Sequence, residues 1–395
     1  MAGYNTTIRE KAEDYFDYMV QTRRYLHKNP EVSFKEYDTT EYIIHELKKL
    51  NIDVEQPLET GCIGIIEGKP SDKVIALRAD IDALAMDEEG DAKKEFFSER
   101  PGAAHCCGHD AHMANLLGVA RILTDMQQEI EGKVLLIFQP GEEKLPGGGR
   151  LLTESGFLQK QGVKEIYGLH MSPAIEPGKI AVKSGSFMAR PDEFEIEIIG
   201  KGGHAASPHQ TVDPVVLAAE AITKFQTIVS RSLDPTEPAV VTVGRVRAGS
   251  TYNVIPGSAE LIGTVRTFSK DTADLIKQRM EQILKGIAEG AGAAYSFQFN
   301  EGYPAVVNDE NCTDKLVAAA ANVIGEANII RMERPLMAGE DFAFYQQVFP
   351  GAFFFLGSGS DEADSKWSWH HPRYNIDEKA FLTGASIMAG LVLDR

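Results

Sequence analysis

Three histidines, two cysteines and an aspartate lie within nine positions of one segment, 104–112, in a chain that holds 10 histidines in all. Thiolate and imidazole are the ligands that zinc and neighbouring transition metals prefer. Residues two apart in an extended loop, such as Cys107 and His109, can point to the same side. The segment therefore predicts a metal site, and the alternative is a helix start with incidental histidines.

Two adjacent carboxylates, Glu142 and Glu143, follow a predicted buried strand at 134–138. Open α/β sheets bind their ligands beyond the carboxyl ends of the strands. At that edge one carboxylate can bind a metal ion while its neighbour takes a proton from a water that the ion activates. Taken alone, such a pair is more often a solvated turn.

Other candidate residues also follow predicted strands or turns. His170 ends a short apolar strand, and His370 lies in a turn before the final helix. Asp80 ends another strand, two residues after Arg78. A buried aspartate there could orient a ligand histidine while the arginine balances its charge, although a structural ion pair is an equal interpretation. Cysteine, histidine and glutamate side chains at the ends of one sheet together predict a metal-dependent enzyme.

Two other functions fit parts of the pattern. Cys107 beside histidines could be a nucleophilic thiolate, but that chemistry gives Glu143, His170 and His370 no role. A serine hydrolase is disfavoured because the sequence has no GxSxG motif. A metal-dependent binding protein without turnover is the alternative from another class. It has no need of Glu142 beside a ligand carboxylate, so the pair favours an enzyme.

Length, charge and cysteine content restrict the partners and the compartment. The chain has 395 residues and a formal net charge of −18, so it repels phosphate backbones and we expect no nucleic-acid partner. No apolar run reaches the roughly 18 residues of a membrane span. The polar N-terminal segment predicts no secretory signal. Four cysteines without a CxxC pair indicate reduced thiols. We expect a cytoplasmic protein without a membrane partner.

Apolar runs alternating with helical periodicity predict an α/β domain with a mostly parallel sheet in 1–183 and 301–395. The predicted strands are 63–66, 74–77, 134–138, 166–169 and 352–356. The predicted helices are 8–27, 37–50, 111–126, 148–155 and 313–325.

The central segment, 184–300, has a different pattern. It predicts strand, helix, strand, strand, helix and strand in that order, which is typical of a ferredoxin-like α+β module. The predicted strands are 194–199, 240–246, 259–266 and 295–299, and the predicted helices are 213–229 and 272–288. The sequence therefore predicts a domain inserted into the sheet domain, with turn-rich hinges at 183–186 and 302–304.

The motifs and their order resemble one enzyme family. The resemblance extends from residues 24–31 to residues 370–375. The family is the amidohydrolase branch of the aminoacylase and metallocarboxypeptidase family, which includes hippurate hydrolases, auxin-conjugate hydrolases and N-acyl-L-amino-acid amidohydrolases. The motifs that carry the resemblance are RADIDAL, HCCGHDAH, FQPGEE, GLH, GKGGHAASPH, NVIPG and AGEDFAFY.

The resemblance implies a role for individual residues of this sequence. Two divalent metal ions per chain, of zinc, manganese, cobalt or nickel, would be held by five ligands with Cys107 as the bridge. Glu142 would be the general base, and Asp80 would contact the metal ligands without binding metal itself. His204 would be a lid histidine that contacts the scissile carbonyl, and Asn253 would bind substrate. The five implied metal ligands are Cys107, His109, Glu143, His170 and His370.

The implied reaction is hydrolysis of an N-acyl amino acid through a metal-activated water. A dipeptidase or carboxypeptidase and an N-acetyl-diaminopimelate-type deacetylase remain alternatives, because they share the same bond chemistry. The resemblance also suggests a homodimer or higher homo-oligomer through the inserted domain, which would act as a lid. This chain departs from the family pattern at Gly141, Ala85 and Cys106, and the second of these puts the substrate preference in question.

Overall fold

The computed structural model describes the backbone of residues 2–393 and the side chains of residues 7–393. Its α-helices are α1 Ala2–Asp14, α2 Phe16–Lys28, α3 Tyr37–Lys49, α4 His109–Asp125, α5 Gly148–Glu154, α6 Phe157–Gln161, α7 Pro214–Arg231, α8 Lys270–Ala291, α9 Glu310–Ile324, α10 Ala343–Gln346 and α11 Ala380–Leu393. Its strands are β1 Asp53–Glu55, β2 Cys62–Glu67, β3 Lys69–Asp80, β4 Glu131–Gln139, β5 Glu165–Ser172, β6 Ile180–Val182, β7 Gly185–Met188, β8 Arg190–Ile199, β9 Gly203–His204, β10 Val240–Ala248, β11 Val254–Ile255, β12 Ser258–Thr267, β13 Ala294–Asn300, β14 Val306–Asn308, β15 Ile329–Arg331 and β16 Gly351–Gly357.

The chain forms two compact units. The first consists of Met1–Phe187, Val307–Pro335 and Asp341–Arg395, and the second of Met188–Val306 and Leu336–Glu340. The chain therefore passes between the units four times, whereas the sequence predicts two passages.

Hydrogen bonds between distant residues hold two short segments in the second unit. Gly302 donates its N–H to Asp192 Oδ1 at 2.8 Å within this unit, whereas the sequence pattern places 301–306 in the sheet domain. Ala189 donates its N–H to the carbonyl oxygen of Leu336 at 3.0 Å, and 336–340 also belongs to the second unit. Both bonds join residues far apart in sequence, so the local pattern does not show them.

The first unit is built on an eight-stranded sheet in the order β1-β2-β4-β3-β5-β16-β6-β15. The four central strands, β4, β3, β5 and β16, are parallel to one another. Strand β4 runs Glu131–Gln139 and is buried along most of its length, as expected for a strand covered on both faces. The predicted mostly parallel sheet is confirmed, and all five predicted strands lie within observed ones.

The predicted helix 8–27 is two helices, α1 and α2, separated at Tyr15. Backbone hydrogen bonds continue across the break, from Tyr15 N–H to the Lys11 carbonyl at 3.1 Å and from Met19 N–H to the Tyr15 carbonyl at 3.0 Å. The apolar periodicity therefore continues across the break, and the periodicity alone could not locate the interruption.

The second unit has the predicted ferredoxin-like arrangement. Its four strands are ordered β10-β12-β8-β13 with every pair antiparallel, and helices α7 and α8 follow the first and third of them in sequence. Strand β8 alternates buried and exposed residues, and its buried side chains pack with those of both helices. A short two-stranded sheet, β9 with β11, lies apart from this core in the topology.

Within residues 2–393, no helix is long and apolar enough to cross a membrane.

Candidate metal centre

The predicted site residues of the first unit meet at the carboxyl edge of its parallel strands. Asp80, the last residue of β3, is paired with Gln139, the last residue of β4. His170 lies near the end of β5, beside Phe355 of β16. This parallel register brings the residues that follow β4 to the same edge as His170 and Asp80.

The five implied metal ligands form two groups that share Cys107. The thiol of Cys107 lies with His109 and His170 in the first group, and with Glu143 and His370 in the second. Within each group the candidate ligand atoms lie within 4.8 Å of one another. Specific distances are 3.4 Å from Cys107 Sγ to His170 Nε2, and 3.1 Å from His370 Nε2 to Glu143 Oε1.

His109 presents one ring nitrogen to this space. Its Nδ1–H donates to the backbone carbonyl of Asp82 at 2.8 Å, so Nε2 remains as the ligand atom. That atom is buried without a hydrogen-bond partner and lies 4.0 Å from Glu143 Oε1. Burial lowers the pKa of His109, but Asp80, Asp82 and Glu143 outweigh it and raise the pKa to about 10. A pocket that stabilises positive charge and holds an orphaned imidazole nitrogen fits a bound metal ion.

His170 is oriented in the same way. Its Nδ1–H donates to the backbone carbonyl of Met171 at 2.8 Å, which turns Nε2 toward Cys107. Trp369 packs edge-on against its ring at 5.0 Å between centroids and donates its indole N–H to the same Met171 carbonyl. Burial holds the pKa of His170 well below its usual value, which favours the neutral form that a metal ion binds. The sequence alone indicates no role for Trp369 except through its position beside His370.

His370 is the most exposed of the five, with 55% of its side chain accessible. Its backbone has a positive φ of 63°, and its N–H donates to the Cys106 carbonyl at 2.8 Å. The neighbouring His371 stacks on Trp367 at 4.5 Å and belongs to neither ligand group.

Asp80 forms an ion pair with Arg78 and contacts a histidine that is not one of the five implied ligands. Its carboxylate accepts from His112 Nδ1–H at 2.6 Å and from Arg78 at 2.8 Å, while His109 Nε2 is 3.7 Å away. The Nε2 atom of His112 accepts the Met171 N–H at 2.9 Å, so both nitrogens of that ring are in use. Asp80 and His112 therefore hold β3 and β5 together behind the site.

Asp82 contacts both the implied ligand His109 and the acidic pair. Its backbone carbonyl accepts from His109, and its carboxylate oxygens accept the N–H groups of Glu142 and Glu143, each at 3.0 Å. Ser33 donates a further bond to the same carboxylate at 2.6 Å. Asp82 thus connects a ligand histidine to the acidic pair. The RADIDAL motif contains both aspartates, and sequence could not distinguish them.

The surroundings of Cys107 disfavour the nucleophile alternative. Burial raises the pKa of the thiol well above its usual value, and Glu143, Glu142 and Asp80 raise it further. A catalytic thiolate needs an electropositive environment instead. Here only a cation would favour the thiolate, and a metal ion supplies one. All four cysteines of the chain are free and buried.

The two predicted residues of the inserted segment lie side by side in the second unit. His204 in β9 pairs with Val254 in β11, and Ala205 donates its N–H to the Asn253 carbonyl at 3.1 Å. Both predicted side chains are exposed. His204 Nδ1 accepts the Ala206 N–H at 3.0 Å, so a neutral ring carries its proton on Nε2.

Comparison with known proteins gives the family. Residues 76–394 match the model of Peptidase family M20/M25/M40. The N-acetylcysteine deacetylase of Bacillus subtilis is 40% identical over 378 residues, covering 95% of this chain and 96% of the relative. The N-acyl-L-amino acid amidohydrolase of Geobacillus stearothermophilus is 42% identical over 291 residues, covering 73% and 78%.

A solved structure agrees with these relatives. A Bacillus subtilis protein described as a dinuclear metal binding peptidase from the M20 family has 36% identity and a TM-score of 0.83, over 96% of this chain and 98% of the other. The predicted fold class, family resemblance and hydrolase class are confirmed by these comparisons. The chain belongs to Peptidase family M20/M25/M40.

Proposed function

We propose that this protein is a metal-dependent amidohydrolase that cleaves N-acyl amino acids. The observation that carries the proposal is the fixed pair of Glu142 and Glu143 beside His109, in a buried site whose other candidate ligands converge on Cys107. Support for the substrate class comes from relatives named for deacetylation of N-acetylcysteine and hydrolysis of N-acyl-L-amino acids.

Two divalent ions fit the donor set. His109 and His170 would hold one ion, Glu143 and His370 the other, and the Cys107 thiolate would bridge them, since its thiol belongs to both groups. A mixed thiolate, imidazole and carboxylate set suits zinc, manganese, cobalt or nickel. When bound, the ions supply Lewis-acid polarisation of the scissile carbonyl and lower the pKa of a coordinated water.

Glu142 is the proton carrier in this proposal. Its side chain is 7% exposed, and its carboxylate belongs to a group of candidate ligand atoms with His109 and Glu143. Asp82 holds its backbone N–H, which fixes the side chain next to the ligands. Glu142 takes a proton from the attacking water and returns it to the leaving amine, so that one carboxylate acts as base and then as acid.

His204 and Asn253 contribute from the second unit in this proposal. The Nε2–H of His204 is a donor suited to an oxyanion that develops on the carbonyl oxygen. Asn253 lies beside it, since its carbonyl accepts the N–H of Ala205. The second unit would then act as a lid.

We also propose a homodimer formed through the second unit. Within the described residues, β10 is an edge strand that pairs with β12 alone, and Val246 on it is 54% exposed. An edge strand with exposed apolar side chains is able to pair with a second copy.

The test compares the wild type with Glu142→Gln and with Glu55→Gln, a control at an exposed position. Each protein is assayed for metal content and for hydrolysis of N-acetyl-L-cysteine, hippurate, other N-acetyl amino acids, dipeptides and N-acetyl-diaminopimelate. We expect equal metal content in all three, and turnover of acyl amino acids that Glu142→Gln loses by at least about 10²-fold. Metal without turnover of any substrate in the wild type contradicts the proposal, as does full activity after metal removal.

A further inference from the structure

The segment Gly141–Glu143 is held by two buried carboxylates that accept three consecutive backbone N–H groups. Asp82 accepts those of Glu142 and Glu143, and Glu36 Oε1 accepts that of Gly141 at 2.8 Å. All three N–H groups therefore bond to side chains from outside the segment, and these acceptors help to set its conformation. Glu36 precedes α3 and has so far been given no role.

The carboxylate of Glu36 is buried and fully bonded. It is 0% exposed, and its Oε1 also accepts the Phe34 N–H at 2.9 Å, while Oε2 accepts the Thr60 hydroxyl at 2.8 Å. Burial, with a further contribution from Asp82, raises its pKa to about 7. A carboxylate taken out of water in this way makes stronger hydrogen bonds to N–H groups than a solvated one.

Glu36 Oε1 joins two residues that have unusual backbone conformations. Phe34 has φ of 63° and Gly141 has φ of 61°. A Cβ atom built on Gly141 would lie 2.4 Å from the Phe34 ring, so the ring leaves no room for a side chain at position 141. A positive φ is sterically unfavourable for phenylalanine, so contacts around Phe34 must stabilise this conformation. Glu36 Oε1 accepts a hydrogen bond from each of these two residues and so fixes their backbones relative to one another.

We propose that Glu36 is a positioning residue: by accepting the N–H groups of both Phe34 and Gly141, it sets the backbone from which the Glu142 side chain reaches the reacting water. This inference rests on the proposed function for the role of Glu142. Glu36 acts through the backbone and touches neither metal nor substrate. The N–H of Glu143 bonds to Asp82, so metal binding is expected to persist when Glu36 is changed.

The experiment uses variants that separate positioning from folding. Glu36→Leu removes every acceptor, whereas Glu36→Gln keeps Oε1 as an acceptor and turns its amide toward Thr60. Glu36→Asp keeps the charge but is one methylene too short to span both bonds. Glu31→Leu is the matched control, because Glu31 is also buried and accepts the Thr39 N–H at 2.8 Å without a bond to 141–143.

Metal content, kcat, KM and amide hydrogen exchange of a peptide spanning 139–145 are measured for each folded variant. We expect Glu36→Leu and Glu36→Asp to keep their metal and to lose kcat by about 10²-fold with little change in KM, as a misplaced catalytic group does. The 139–145 peptide should exchange faster in both. Glu36→Gln should recover most of kcat, and Glu31→Leu should be less stable with wild-type kcat.

Three results would overturn the inference: wild-type kcat in Glu36→Asp, a Glu36→Gln variant as impaired as Glu36→Asp, or an equal loss of kcat in Glu31→Leu. If Glu36→Leu does not fold, the Asp and Gln variants still decide. If the wild type hydrolyses no substrate, the proposed function fails. Faster amide exchange of the 139–145 peptide in Glu36→Asp would then still show that Glu36 fixes the backbone of this segment.

Discussion

The carboxylate and carbonyl of Asp82 contact three parts of the candidate metal centre: the ring of His109 and the backbone N–H groups of Glu142 and Glu143. Removing a hydrogen-bond partner behind metal ligands typically costs about 10- to 100-fold in metal affinity. We expect that loss in Asp82→Ala, measured by competition with a chelator. Asp72→Ala, at an exposed position of β3, is the control and should bind metal as the wild type does. Equal affinity in both variants would contradict this role.

The candidate ligands stand out in the sequence because their residue types are rare and chemically distinctive. Cys107, His109 and Glu143 were identified from residue type and motif order, and the structure brings them together. Asp80 and Asp82 could not be distinguished, because they have the same side chain and lie two residues apart. Their roles depend on where β3 ends, since Asp80 is its last residue and Asp82 follows it into the loop. Glu36 gave no signal, because it acts on a segment 105 residues away.

Helix α4 begins at the candidate ligand His109, and Gly108 before it has φ of 97°. A Cβ atom on Gly108 would lie 2.6 Å from the hydroxyl of Tyr374. We expect Gly108→Ala to lose about 1–3 kcal/mol of unfolding free energy and also to bind metal more weakly, since the helix start must move. Gly102→Ala is the matched control: φ is 77° there and nothing lies within 4 Å. Denaturant unfolding measures the effect of backbone strain in both variants, and metal titration measures the effect of displacing His109. Normal metal binding by Gly108→Ala would show that the start of α4 does not need this conformation to position His109.

The segment between β3 and α4 is tied to helix α2 through a buried carboxylate. Glu88 contacts His27 of α2 at 2.9 Å and Lys93 at 2.6 Å. Burial raises the pKa of Glu88, but these two partners outweigh it and lower the pKa to about 2. A carboxyl whose pKa is lowered by folding stabilises the native state above its unfolded pKa, and that stabilisation is lost as the pH falls toward the folded value.

We therefore expect the stability difference between wild type and Glu88→Gln to shrink as the pH is lowered from about 5 toward 2, by on the order of 1–3 kcal/mol. Denaturant unfolding of the metal-free proteins at several pH values measures it. Glu99→Gln, at a side chain that is 68% exposed, should show no such trend. A difference between wild type and Glu88→Gln that is constant with pH would show that the Glu88 contacts are not linked to its ionisation.

Over the whole molecule, the two-part organisation was predictable because the hydrophobic period changes along the chain. Strand β8 alternates buried and exposed residues, whereas β4 is buried along most of its length. The precise division was not predictable from local pattern, because 336–340 joins the second unit through the pairing of Leu336 with Met188. Such a contact joins positions almost 150 residues apart and produces no periodic hydrophobic pattern in the sequence around either residue.

His204 and the candidate metal ligands belong to different compact units. In the proposed mechanism His204 would act either from its own chain or from a second chain. We expect His204→Ala to keep its metal and to lose kcat by about 10²- to 10³-fold, the usual loss for one oxyanion donor. His209→Ala, an exposed histidine five residues on, is the control. Unchanged turnover in His204→Ala would remove this residue from the mechanism.

Mixing the two impaired chains then identifies which chain supplies the histidine. A dimer of His204→Ala with Glu142→Gln has one site with both residues intact only if His204 acts across the interface. Random pairing would then restore about a quarter of the wild-type rate, because half of the dimers are mixed and each has one complete site. No recovery, in a mixture that size exclusion shows to contain exchanged dimers, means that His204 acts within its own chain.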